Sequence, residues 1–127
     1  MRVFQILLTM TAAVCLTASS ASAGQKKLMH CFAFTSIPEA TNADWQAFFR
    51  ATDQLPSKIK SISHVWYGKL ARPLKQGDVT RDWGVCMEMA DEAALTAYDK
   101  DPAHTAWVAV YEKVRKEGTT TFNIIGQ

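Results

Sequence analysis

Tyr98 and His104 stand on either side of Asp101-Pro102, in the stretch Tyr98-Asp-Lys-Asp-Pro-Ala-His-Thr-Ala-Trp107. A neutral imidazole can take a proton, and a phenol can donate to a developing oxyanion. The pair therefore has the parts for acid–base work on a carbonyl compound. Asp101 suits a helix N-cap and Pro102 the first helical position, which puts His104 at the third position of a helix. The positive end of the helix dipole disfavours the imidazolium form there. The same placement also serves a structural role, in which the ring packs or bonds a loop carbonyl. Tyr98 reads either as a donor that polarises a carbonyl or as a core tyrosine with one hydrogen-bond partner. A continuous helix would splay two side chains at this spacing, whereas a break between them lets them converge.

His30 alternates with Phe32 and Phe34 in Leu28-Met-His-Cys-Phe-Ala-Phe-Thr35. It shares their face, as a satisfied core histidine or as a pocket residue. The chain has three histidines, and no carboxylate has ligand spacing to any of them, so no metal site is expected. The aromatic residues fall at core periodicity and read as core rather than as a cofactor box, and no cofactor is expected.

Residues 1–23 have the three parts of a secretory signal. Arg2 is followed by an apolar run, Val3 to Leu16, and then by Ala21-Ser22-Ala23 at the cleavage positions. The apolar run is short of the ~20 residues that span a bilayer. Cleavage after Ala23 leaves 104 residues, 24–127, as a single domain in a secreted or periplasmic setting. It also removes one of the 14 basic residues, leaving 13 against 12 acidic ones. Such a balance argues against a nucleic-acid partner, and no membrane association is expected after cleavage. Cys31 and Cys86 remain, without the Cys-x-x-Cys spacing of a redox motif or zinc knuckle.

Elements must position these residues. Leu28 to Thr35 alternates as a strand. Thr41 to Asp44 forms a capping box ahead of a helix that carries Trp45, Phe48, Phe49, Thr52 and Leu55 on one face, and Pro56 disfavours its continuation. Ile62 to Leu70 is a second strand, Ala71 to Thr80 a loop, and Trp83 to Met89 a third strand with Trp83, Val85, Met87 and Met89 toward the core. Asp91 caps a short helix and Asp101 a second one, with Gly118 as its C-terminal cap. Thr119 to Ile125 is the last strand. The order β-α-β-β-α-β, with its second helical region broken in two, defines an α+β ferredoxin-like chain with a four-stranded antiparallel sheet and helices on one face. The open face is expected to hold Cys31, Ala33, Val65 and Tyr67, along with Thr35 and Glu88. Its mostly apolar character calls for a second copy of the chain. Cys31 and Cys86 fall on this face, on strands that read as adjacent and parallel, so a disulfide is disfavoured and both are expected as reduced thiols buried at the dimer interface.

The segments "LMHCFAF", "LPSKIKSISHVWYGK" and "ALTAYDKDPAHTAWV" resemble the stress-responsive dimeric α/β-barrel (Dabb) family over Lys27 to Ile125. The resemblance implies a ferredoxin-like monomer whose sheet packs on that of its twin. One enzyme of that family, the plant olivetolic acid cyclase, uses a tyrosine and a histidine that correspond to Tyr98 and His104, with a pocket histidine corresponding to His30. Trp83 stands where the cyclase has a further pocket histidine, and Asp101 where many members have a histidine. The expectation is an exported homodimer that binds a small hydrophobic or aromatic molecule between sheet and helices. His30, Trp45, Phe49, Trp83 and Trp107 would line the pocket with Tyr98 and His104. The alternative is a carbonyl-directed cyclase or lyase in which His104 and Tyr98 are the acid–base pair. A flavin- or haem-linked monooxygenase is a weaker analogy, since fold alone does not carry function.

Overall fold

The computed structural model describes residues 26–127, so the signal segment 1–23 lies outside the described residues. The first strand, β1, spans Leu28–Ser36, and the first helix, α1, spans Asn42–Asp53. The capping box forms as its residues require. Thr41 Oγ1 accepts from the Asp44 backbone N–H, and the Asp44 carboxylate accepts from the Thr41 N–H. A single turn of helix, α2 (Leu55–Lys58), takes Pro56 into its first turn, where a missing N–H does no harm. Then come β2 (Ile62–Gln76), β3 (Val79–Met89), α3 (Glu92–Asp99), α4 (Pro102–Tyr111) and β4 (Arg115–Ile125). The sheet order is β2-β3-β1-β4, and every neighbouring pair is antiparallel. This is the ferredoxin-like α+β arrangement.

The core lies between the sheet and the helices. Phe34, Phe48, Met87, Met89 and Val114 have no exposed surface. Thr52 is the polar member of this layer. Its hydroxyl donates to the Phe48 carbonyl at 2.7 Å and accepts from the Trp107 indole N–H at 3.0 Å. That bridge fixes α4 against α1 and leaves no buried donor on Trp107 unpaired.

Four expectations need correction. The segment 71–80 is not a loop, because β2 continues to Gln76 and turns into β3 through Gly77-Asp78. Gly77 has φ +59°, which a glycine adopts freely at the first position of a two-residue hairpin turn. Pro73 is tolerated because it sits where the β2–β3 register shifts between Lys69 and Leu74. Gly118 does not cap α4. It lies inside β4 at φ +88°, where the β1–β4 register skips between Phe34 and Ser36, so it serves an irregularity in the ladder.

The faces of β2 are also the reverse of those expected. Val65 and Tyr67 pair with the buried Met87 and Val85, and both turn toward the helices. Tyr67 stacks on Phe49 and donates to Asp53 at 2.7 Å, and burial with that bond pushes its hydroxyl up to about 12. Trp66 takes the open face instead, 48% exposed.

Finally, Cys31 and Cys86 are joined in a disulfide. Their strands are antiparallel, not parallel. The two residues are direct partners in the ladder with Cα atoms 4.1 Å apart, the close approach of a non-hydrogen-bonded pair. The oxidised chain should weigh two protons less than its reduced form in intact-mass measurement. Replacing both cysteines with serine should lower unfolding free energy by about 2–4 kcal/mol, read by denaturant titration. An unchanged mass on reduction would show that the thiols are free.

Candidate functional site

The chain between α3 and α4 turns at Lys100 and Asp101. Asp91 caps α3 by accepting from the Ala94 N–H, and Asp101 caps α4 by accepting from the Ala103 N–H, both at 2.8 Å. Two short capped helices therefore replace one long helix, and the break turns Tyr98 and His104 toward each other. Their ring centroids lie 4.0 Å apart with planes inclined by 30°. Tyr98 is 2% exposed, and His30 approaches it from β1 with a centroid distance of 5.7 Å. His30 Nδ1 is 2.7 Å from Asn123 Oδ1 on β4. With the amide oxygen accepting, Nδ1 carries the proton, and Nε2 of a neutral ring remains an acceptor.

These three side chains border one open cleft of about 170 Å³ between the β1–β4 edge and α4. Trp107 forms part of its wall. The helix supplies a continuous ladder of rings along the cleft. His104 lies 6.4 Å from Trp107 in near-parallel alignment, and Trp107 stacks on Tyr111 at 5.0 Å. Arg115 follows, its guanidinium carbon 4.6 Å from the centre of the Tyr111 ring. Phe32, Thr119 and Thr121 form the sheet side.

Burial holds His104 below the usual histidine range, and the neighbouring His30 adds to this. Asp99, through its backbone hydrogen bond and its charge, opposes the shift. The neutral imidazole expected from the sequence is supported, but desolvation rather than the helix terminus leads. Tyr98 is raised, chiefly by burial and then by the Asp99 carboxylate, so it stays a protonated donor at neutral pH. The cleft thus holds an acceptor and a donor in the states that carbonyl polarisation and proton removal require.

The other residues expected at the pocket are elsewhere. Trp83 stacks on Trp45 at 4.5 Å and packs with Phe49 at 5.8 Å. None of the three lines the cleft. Trp83 sits on β3 and fills the space beneath α1, and therefore leaves the His104 cleft open. Tyr111 and Arg115 were missed as cleft residues. Tyr111 continues the 104, 107, 111 spacing of one helical face, a legible signal that core packing also explains. Arg115 had no such signal, because it fell within the helix expected to run to Gly118. Among the described residues no group of three or more His, Cys, Asp or Glu side chains could hold a metal ion.

A four-stranded antiparallel sheet with one layer of helices, and a cleft between them, defines a ferredoxin-like α+β protein. The chain belongs to the stress responsive A/B barrel domain (Dabb) family, whose model matches residues 28–122. It is similar to a Dabb family protein of ferredoxin-like fold from Mesorhizobium loti, with 21% identity, 81% of this chain and 99% of that chain covered, and a TM-score of 0.62. A dimeric ferredoxin-like protein of unknown function from Thermobifida fusca is 19% identical over 79% of this chain and 91% of its own, with a TM-score of 0.61. The hydroxynitrile lyase of Passiflora edulis shares the fold at 10% identity, covering 81% and 95% of the two chains with a TM-score of 0.66. No curated protein matches the chain in sequence.

In a histidine NMR titration, the His104 midpoint should fall below the ordinary 6.5. The unfolded chain then binds the extra proton first. Stability contributed by His104 is therefore present above 6.5 and is lost as pH falls through the folded midpoint. A midpoint at or above 6.5 would contradict a desolvated ring.

Proposed function

We propose that the chain is an exported homodimer that binds a small hydrophobic or aromatic molecule in the cleft between α4 and the β1–β4 edge. The cleft carries this reading, since it is lined by rings and has a few polar groups converging at one end. Dimerisation is supported by the open sheet face. Trp66 and Phe122 are each 48% exposed there and Ile124 54%. Trp66 and Phe122 border an apolar groove of about 290 Å³ over the Cys31–Cys86 disulfide. Uncovered apolar surface of this kind favours a self-complementary partner. The similar protein from Thermobifida fusca is described as dimeric. Export is supported by the signal pattern of residues 1–23 and by the disulfide, which is suited to an oxidising compartment.

Native mass spectrometry of the protein from its own host tests these points together. The expected species is a dimer of chains beginning at Gly24, with a retained small molecule. Trp66→Glu and Phe122→Glu should each shift the protein to monomer, because either buries a charge in the interface. A ligand-free monomer for the unaltered protein would rule the reading out.

The closeness of Tyr98 and His104 favours a second reading, a carbonyl-directed cyclase or lyase. His104 would take a proton alpha to a carbonyl, Tyr98 would donate to the resulting oxyanion, and His30 would hold the substrate. The lyase from Passiflora edulis supports only the capacity of such a fold to host an enzyme. Incubated in D2O with an aryl methyl ketone, the protein should catalyse alpha-deuterium exchange followed by NMR. His104→Gln should slow it by roughly a hundredfold or more, and Tyr98→Phe should also slow it substantially. Exchange at the buffer rate would remove the enzyme reading and leave the binding one.

A further inference from the structure

The open face of the sheet is uneven in a regular way. Cross-strand pairing sets Trp66, Cys86, Cys31 and Phe122 in one row across β2, β3, β1 and β4. The next row on that face holds Gly68, Gly84 and Ala33. Trp66 projects from the end of the first row, 48% exposed, and His64 braces its indole at a ring separation of 4.1 Å. The two glycines beside it differ in their surroundings. A Cβ on Gly84 would come within 2.9 Å of Leu70 Cδ2, so that glycine makes room for a side chain of its own strand pair. A Cβ on Gly68 would meet no atom within 4 Å, and φ there is not positive. Glycine weakens a strand interior, and neither turn geometry nor packing within the chain calls for this one. Gly68 and Trp66 both line the apolar groove of about 290 Å³, which has room for an indole ring.

We propose that a second copy of the chain seats its Trp66 ring over Gly68 of the first, and receives the first chain's Trp66 over its own Gly68. This rests on the homodimer reading above and names the contact that sets the register of the two sheets. Self-complementarity selects a second copy over an unrelated partner. An isologous interface must carry projection and recess on one surface, placed so that a twofold axis exchanges them. Trp66 and Gly68 meet that requirement. They share one face of one strand, two residues and roughly 7 Å apart, and the β2–β3 register runs unbroken from Val65 to Lys69. A twofold axis lying between two stacked sheets, across the strands at the level of Tyr67, brings each indole over the partner's glycine. The contact then occurs twice per dimer. A shift of two residues along the strands would set indole against indole and leave both recesses unfilled.

Sedimentation of the chain from Gly24 onward gives the dimer dissociation constant. Gly68→Val fills the recess, and the monomer has room for its Cβ. It should raise that constant by about thirtyfold or more, the cost of overpacking two equivalent contacts. Trp66→Ala should raise it by about tenfold or more, as the loss of a central aromatic anchor does. The decisive protein carries both changes. Trp66→Ala with Gly68→Val should dimerise more tightly than Gly68→Val alone, because the valine methyls enter space the indole has left, and such non-additivity marks residues in contact. Thermal unfolding of monomeric Gly68→Val should stay cooperative, which ties its loss of dimer to the interface. An unchanged constant for Gly68→Val, or strictly additive losses in the double variant, would overturn the Trp66–Gly68 contact while the dimer of the unaltered chain still upholds the homodimer. An unfolded Gly68→Val chain would show that the recess is occupied within the monomer and would overturn the contact equally. A monomeric unaltered chain would remove both.

Discussion

β1 is paired on both sides, with β3 along one edge and β4 along the other. Its two faces are therefore fixed by period-two alternation and cannot slip without exchanging core for surface. His30, Phe32 and Phe34 are held under the helices, while Cys31 and Ala33 are held on the open side. Everything else follows that division. The ring wall of the cleft needs Phe32 and His30 beneath α4, and the disulfide needs Cys31 opposite Cys86 on the other side. One strand thus separates the face that borders the cleft from the open face of the sheet.

The helical layer is locked to this strand by packing and by one polar bridge. Trp107 contacts Phe32 at 6.0 Å and donates to Thr52, so its ring cannot swing into the cleft without abandoning a buried hydrogen bond. That keeps the space between His104 and Arg115 open. The chain break before Pro102 does the rest. It is costed locally by two aspartate caps rather than by tertiary strain, and it places Tyr98 against His104. The site is therefore carried by regular elements, which hold side chains more rigidly than a loop would.

Much of the fold was legible because its signals are local. Alternation marked β1 and the core face of β3, the capping box started α1, and Asp91 and Asp101 started α3 and α4. The hairpin was misjudged because Pro73 and Gly77 carry loop signals that a register shift and a tight turn absorb. β2 was misjudged on its faces for a related reason. Trp66 and Tyr67 are both large aromatics, and nothing within the strand says which of them points inward. Only Val85 and Met87 opposite decide it. Of the cleft, Tyr98, His104 and His30 could be marked by type and spacing. Trp45, Phe49 and Trp83 could not be told from cleft residues, since one apolar helix face can serve a core cluster or a ligand equally well.

The sequence by itself determined the order of elements, the broken second helical region and the aspartate caps that start its two halves. Each of these is written in neighbours a few residues apart, where propensity and capping act directly. Tertiary structure alone decided that Cys31 and Cys86 face each other, that Trp83 fills the space beneath α1, and that Arg115 reaches the cleft of His104. Each of these depends on how strands far apart in the chain pair and where helices settle on them. Register and packing are set by the whole core at once, and no local stretch of residues encodes them.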